Sequence, residues 1–174
     1  VAAYGTLMYV NFIFVAIFLG YSIGSAPIVS YHYGARNSEE LKNLLTKSLK
    51  MIGVWGVALF ALAQLIASPL ARIFVGYDPN LFDLTRHGFR IFCLAFLVNG
   101  FNIYGSSFFT ALNNGLLSAL ISFLRTLVFQ IASVLLLPMI FGIDGIWGAV
   151  FVAEILTLCV TIICLAKKQK VYHY

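Results

Sequence analysis

The chain has 174 residues, of which 61% are hydrophobic and 10% are charged, and its mean hydropathy is +0.97. A soluble domain carries roughly 25% charged residues and a disordered chain is poor in apolar residues, so this composition excludes both and indicates a membrane protein. The excess of 11 Lys and Arg over 6 acidic residues does not indicate nucleic acid as a partner, because the cations lie mostly in short connections, where they set membrane orientation.

Five apolar runs follow one another along the chain, separated by polar turns. Residues 1–35 contain no charge, and the uncharged run 91–124 is too long for one crossing of a hydrocarbon layer about 30 Å thick. Asn113-Asn114-Gly115 supplies the turn that divides this run. Lipid offers no partners to backbone groups, so the runs must be helices. The sequence predicts an all-α, polytopic membrane bundle of five transmembrane helices, at about 6–31, 48–70, 88–111, 117–141 and 146–166.

The Lys and Arg residues are distributed unevenly between the two sides of the predicted membrane bundle. The first connection and the C-terminal tail, which lie on the same side, contain Arg36, Lys42, Lys47, Lys50, Lys167, Lys168 and Lys170. The opposite side contains only Arg72, Arg86 and Arg90. Because cytoplasmic loops hold the excess of Lys and Arg, the tail is predicted to be cytoplasmic and the N-terminus of the chain extracytoplasmic. We therefore expect at least one further helix before it, and a larger protein of which this chain is a fragment.

Two ionisable residues lie deep within the predicted helices. Arg125 is about 13 Å from the cytoplasmic end of the fourth helix, and Glu154 is about 14 Å from the outer end of the fifth. These depths nearly coincide, so the two residues could form an ion pair. The alternative is that Arg125 extends to the cytoplasmic headgroups while Glu154 is protonated or faces a wet cavity. Charged groups inside a membrane are costly, so both are candidates for buried electrostatics or ion coupling.

Amide side chains occupy the middle of the third and fourth helices. Asn99 and Asn102 lie near the centre of the third helix, and Gln130 follows Arg125 in the fourth. Amides at this depth either line a path for a substrate or ion, or hydrogen-bond between helices at about 0.6 kcal/mol each. The three residues are candidate substrate or cavity contacts.

The first helix contains residues that predict a bend and a close helix contact. Pro27 removes one backbone hydrogen bond and, with Gly24, predicts a bend. The pair Gly20 and Gly24 forms a small face that lets another helix approach closely. The same segment matches the G-x-S-x-G nucleophile motif, but that motif needs a strand before it and a helix after it, so we do not interpret it as an active site.

Sequence motifs of other functional classes are missing. The G-x-x-x-x-G-K-[ST] loop of ATP-driven pumps is absent, and so are H-E-x-x-H and Cys/His metal-binding spacings. The three cysteines all lie in apolar runs and indicate no disulfide framework; they are Cys93, Cys159 and Cys164. The sequence therefore predicts neither an enzyme nor a metal centre nor a bound cofactor.

Four segments resemble a known transporter family. Gly20 to Asn37 reads Gly-Tyr-Ser-Ile-Gly-Ser-Ala-Pro-Ile-Val-Ser-Tyr-His-Tyr-Gly-Ala-Arg-Asn, which resembles the second-helix signature in each half of the multidrug and toxic compound extrusion (MATE) family. Tyr77-Asp78-Pro79-Asn80, Phe108-Phe109-Thr110-Ala111-Leu112-Asn113-Asn114 and Phe141-Gly142-Ile143-Asp144-Gly145-Ile146-Trp147 match further features. Together they look most like the Mep-type multidrug export proteins of that family.

The resemblance implies twelve helices in two six-helix lobes around a central cleft. Residues 1–174 would be helices eight to twelve, a partial C-terminal lobe whose partner, the N-terminal lobe, is missing. The implied function is export of small organic, often cationic, substrates across the plasma membrane in exchange for Na⁺ or H⁺, by alternating access. A lipid-linked saccharide flippase of a related fold and a non-transporting membrane interaction protein are the alternatives.

The resemblance does not identify the coupling residue. Some family members have a carboxylate midway along the tenth helix, where this sequence offers only Asn99 and Asn102. Glu154 is the one acidic residue at mid-membrane depth. The coupling residues are therefore expected either at Glu154 or in the part of the protein outside this chain.

Overall fold

The computed structural model describes residues 2–172, apart from the side chains of residues 2, 3, 6 and 170. Within this range the chain forms five helical spans of membrane length, which confirms the predicted number and the all-α class. The helices are α1 (Ala2–Gly34), α2 (Ser38–Val75), α3 (Pro79–Phe92), α4 (Phe96–Ala111), α5 (Gly115–Phe123), α6 (Gln130–Phe141) and α7 (Ile143–Tyr172). α3 and α4 together make the third span, and α5 and α6 make the fourth.

The second and third helices begin earlier than the apolar runs predicted. α2 starts at Ser38, not near residue 48, and the third span starts at Pro79, not near residue 88. Both starts are capped: Asn37 Oδ1 accepts from the Glu40 N–H, and Asp78 accepts from the N–H groups of the second and third residues that follow it. Glu39 and Glu40 lie in the first turn of α2, and the cap Asp78 precedes α3, so the start of an uncharged run does not mark the start of these helices.

Two short non-α segments interrupt the third and fourth spans. A 3₁₀ turn, Cys93–Ala95, joins α3 to α4. A π-helical turn, Leu124–Phe129, joins α5 to α6, and its last hydrogen bond runs from the Gln130 N–H to the Arg125 carbonyl. The sequence analysis predicted neither segment. π turns inside α-helices are frequent at functional sites, and this one contains Arg125.

The third span forms the centre of the bundle. In its most apolar stretch 61% of the residues are buried, against 11% for the fourth span. α4 packs on α1, α2, α5 and α7, and aromatic side chains fill the surrounding core. The fully buried ones are Phe89, Phe92, Phe96, Tyr104, Phe108 and Phe109. Asn99 and Asn102 therefore lie on a helix that packs against four others.

α1 runs without interruption through Pro27, from Ala2 to Gly34. The Ser22 carbonyl accepts a hydroxyl hydrogen bond from Ser25 at 3.1 Å and one from Ser107 of α4 at 3.3 Å.

A Cβ built on Gly20 or Gly24 would meet no neighbouring group within 4 Å, so the close helix contact predicted at these glycines is not made within the described chain. The bend at Gly24 and Pro27 stays a prediction.

Candidate functional site: a polar cluster between the membrane spans

An ion pair joins the fourth and fifth spans at matching depth. Arg125 donates from Nε to Glu154 Oε1 at 2.8 Å and from Nη2 to the same oxygen at 2.7 Å. Of the two arrangements that the sequence left open, the structure has the direct pair and not an arginine extended to the headgroups. Residue counting predicts this contact. Arg125 lies about 15 Å along the helix from Gly115, and Glu154 lies about 16 Å from Ile143. Because the two spans start from opposite sides of the bundle, both residues lie near its middle.

Two asparagines of α4 complete the hydrogen bonding of the pair. Arg125 Nη2 donates to Asn99 Oδ1 at 2.6 Å. Asn102 Nδ2 donates to Glu154 Oε2 at 2.7 Å and to the Glu154 carbonyl at 2.8 Å. Thr161 in turn donates from Oγ1 to Asn102 Oδ1 at 3.1 Å. We call these five residues the polar cluster; it connects α4, the π turn and α7.

The polar cluster is largely buried and contains one basic and one acidic side chain. Asn102 is fully buried, Asn99 is 2% exposed and Glu154 is 5% exposed, whereas the Arg125 side chain is 24% exposed. Removing two charges from water is costly, and an ion pair offsets this only when its remaining donors and acceptors are satisfied. Here both carboxylate oxygens of Glu154 accept hydrogen bonds. Loss of one charged partner should therefore cost roughly 3–5 kcal/mol.

Comparison with known proteins identifies the fold that carries this cluster. The sequence profile of the MatE family matches residues 1–136, which is most of the chain. The chain belongs to the MATE family. A search of curated protein sequences found no match.

Solved MATE structures have the same fold. A multidrug resistance MATE family transporter of the MOP superfamily, in its outward-facing conformation, superposes with a TM-score of 0.91 at 18% identity, over 99% of this chain and 39% of that chain. VcmN, a MATE transporter from Vibrio cholerae in the bent form, gives 0.90 at 17% identity, over 98% and 39%. A MOP superfamily transporter from Pyrococcus furiosus, described by the reverse polarity of its binding pocket, gives 0.90 at 18% identity, over 100% and 39%. This chain thus spans about two fifths of the length of the transporters it matches.

The candidate residues predicted from the sequence divide into two groups in the structure. Asn99, Asn102, Arg125 and Glu154 come together in the polar cluster. Gln130 does not join them; it is half-buried and lines an open apolar groove with Ile131 and other residues of the fourth span. Both asparagines hydrogen-bond between helices, which is one of their two predicted uses. A direct contact with substrate stays a prediction for all three amides.

Thr161 is the member of the polar cluster that the sequence analysis missed. It lies two helical turns after Glu154 on α7, and Thr157 lies between them on the same face. Thr157 donates its hydroxyl to the Ala153 carbonyl at 2.8 Å. The signal was the helical spacing of three polar residues in an otherwise apolar helix.

Among residues 2–172, no three His, Cys, Asp or Glu side chains form a group that could hold a metal ion.

Proposed function

We propose that this chain is part of one lobe of a secondary active transporter that exports organic, often cationic, compounds in exchange for Na⁺ or H⁺. The observation that carries the proposal is the MatE match over residues 1–136. In this proposal the lobe is the C-terminal one, of the Mep type, and it alternates with a partner lobe around a site near the membrane midplane. The activity is movement of a substrate, without a covalent reaction and without a bound cofactor.

The arrangement of the helices supports this proposal. α1 presents a continuous exposed face that includes Gly20, Gly24 and Pro27, and small residues allow another helix to pack closely. We propose that the partner lobe faces this surface across the cleft, with the rest of the lobe against plasma-membrane lipid. The flippase alternative is not favoured, because a lipid diphosphate needs unpaired cations and Arg125 is paired with Glu154.

The test uses the complete transporter that contains this lobe. It is expressed in a bacterial strain that lacks its major efflux pumps, and the inhibitory concentrations of ethidium and of several antibiotics are measured. Efflux of preloaded ethidium is then followed with and without an inward Na⁺ or H⁺ gradient. We expect raised inhibitory concentrations and efflux that stops when the coupling gradient is removed.

The matched control is Glu39→Gln, which removes an exposed carboxylate in the first turn of α2. This variant should behave like the unmodified protein. A transporter that reaches the membrane in normal amount, yet changes no compound's toxicity and shows no gradient-driven flux, contradicts the proposal.

A further inference from the structure

We propose that Arg125 is a built-in counter-cation for Glu154, so that the coupling ion of this transporter does not bind at this carboxylate. The inference rests on the proposed function and separates the two roles that the sequence left open for the pair. Glu154 is the acidic residue at mid-membrane depth in this chain, so its occupancy decides whether the lobe exchanges an ion there.

The oxygens that a small cation would need are already engaged by the guanidinium. Arg125 occupies Glu154 Oε1 with two N–H groups and Asn99 Oδ1 with a third contact, all between 2.6 and 2.8 Å. The second carboxylate oxygen accepts from Asn102. Na⁺ would have to displace the guanidinium, since oxygens of this kind are the ligands that hard cations take.

If a cation displaced the guanidinium from Glu154, the charge of Arg125 would no longer be balanced by a carboxylate. Arginine stays protonated in proteins, so Arg125 cannot lose its charge when a cation or proton arrives at Glu154. It would then remain as an unpaired cation inside the membrane, which is strongly unfavourable. The pair is therefore stable in one charge state, whereas a coupling carboxylate must alternate between two.

The backbone also holds the pair in place. Arg125 lies in the π turn Leu124–Phe129, and Asn102 binds both the side chain and the main-chain carbonyl of Glu154. Three segments on three different spans thus meet at one point. We infer that the polar cluster makes α4, the π turn and α7 move as one body during transport, with ion exchange at residues elsewhere in the complete protein.

The decisive experiment neutralises both charges at once in the complete transporter. Arg125→Gln, Glu154→Gln and the double variant are purified, their unfolding midpoints are measured, and ethidium transport into proteoliposomes is followed against Na⁺ concentration and pH. We expect each single variant to lose folded protein, because one buried charge is left unpaired. The double variant should recover much of it and keep the Na⁺ and pH dependence of the unmodified transporter.

The opposite results overturn the proposal. A double variant that folds and carries ethidium only down its own gradient, with no response to Na⁺ or pH gradients, identifies Glu154 as the coupling carboxylate. A double variant less stable than both single variants contradicts the counter-cation role. The matched control neutralises the exposed pair His87–Asp144, whose atoms are 2.9 Å apart, by His87→Gln with Asp144→Asn; it should change neither stability nor coupling.

A second variant keeps Glu154 and removes only the cation. In Arg125→Met the carboxylate must take up a proton or a small cation to remain buried, so the loss in unfolding midpoint should shrink at low pH and at high Na⁺. The same Na⁺ and pH response in Arg125→Met and in the unmodified protein contradicts the proposal. This unfolding measurement needs no transport, so failure of the proposed function would appear separately, as absent gradient-driven flux in the unmodified protein.

Discussion

Two glycines of the central helix α4 lie where a neighbouring side chain touches the backbone. A Cβ on Gly100 would meet the Phe18 ring at 2.5 Å and an Ile52 methyl group at 2.7 Å. A Cβ on Gly105 would collide with the methyl group of Thr161. Real Cβ atoms do not approach so closely, and extra methyl groups in a packed core cost about 1–3 kcal/mol. These glycines therefore allow α1, α2 and α7 to pack closely against α4.

Gly105→Ala should disturb the polar cluster without touching a charged residue. The added methyl group pushes Thr161 away, and Thr161 loses its hydrogen bond to Asn102. We expect a loss of about 1–3 kcal/mol in unfolding free energy, measured as a lower unfolding midpoint of the complete transporter in detergent. Gly115→Ala is the matched control, because its Cβ meets nothing within 4 Å and it lies at the start of α5, away from the α1 face proposed for the partner lobe. Equal midpoints for the two variants would contradict this packing.

Much of the polar cluster could be predicted from the sequence by counting residues along the helices. Arg125 and Glu154 lie at equal depth on antiparallel neighbours, and a fixed rise per residue brings them level. The contact between Arg125 and Asn99 could not be predicted by counting residues, because the rotation of α4 about its axis decides which asparagine faces which partner. The π turn at Leu124–Phe129 carries no composition signal, so it could not be predicted from the residues.

At the scale of the helices, the ends are defined by local polar chemistry. Asn114 Oδ1 accepts from the Leu117 N–H at the start of α5, and its Nδ2 donates to the Tyr172 hydroxyl at 2.6 Å. One side chain thus begins α5 and connects it to the end of α7. The number of helices followed from the apolar runs and from the Asn113-Asn114-Gly115 turn, whereas the early starts at Ser38 and Pro79 depended on the caps Asn37 and Asp78.

Gly142 makes the turn between α6 and α7, and we expect Gly142→Ala to be strained. Its φ of 59° and ψ of −134° lie in a region that residues with a Cβ rarely adopt, and its N–H is fixed by a 2.9 Å hydrogen bond to the Pro138 carbonyl. Such strain costs on the order of 1–3 kcal/mol, which should appear as a lower unfolding midpoint.

The matched control for this turn is Gly115→Ala, at the start of α5. Its Cβ would meet nothing within 4 Å and its φ is not in the left-handed range, so its stability should be unchanged or slightly raised. If Gly142→Ala proved as stable as Gly115→Ala, the strain assigned to this turn would be absent.

At the scale of the whole molecule, the fourth of the five described spans has the smallest buried share of its most apolar stretch. Only 11% of its most apolar stretch is buried. It is held by the short turn to α7, by the packing of α5 on α4 and of α6 on α7, and by the ion pair of Arg125 with Glu154. The third span is embedded on several sides. The polar cluster therefore connects the least buried span to the centre of the bundle through Arg125.

The distribution of Lys and Arg predicts the orientation of the whole chain in the membrane, and this prediction is open to direct measurement. The Glu39 side, with the first connection and the tail, should be cytoplasmic, and the exposed Tyr77 in the turn after α2 should be outside, because Lys and Arg accumulate inside. In a variant lacking Cys93, Cys159 and Cys164, we expect an impermeant maleimide to label Tyr77→Cys in intact cells and Glu39→Cys only after permeabilisation. Labelling of Glu39→Cys in intact cells would reverse the orientation and place the tail outside.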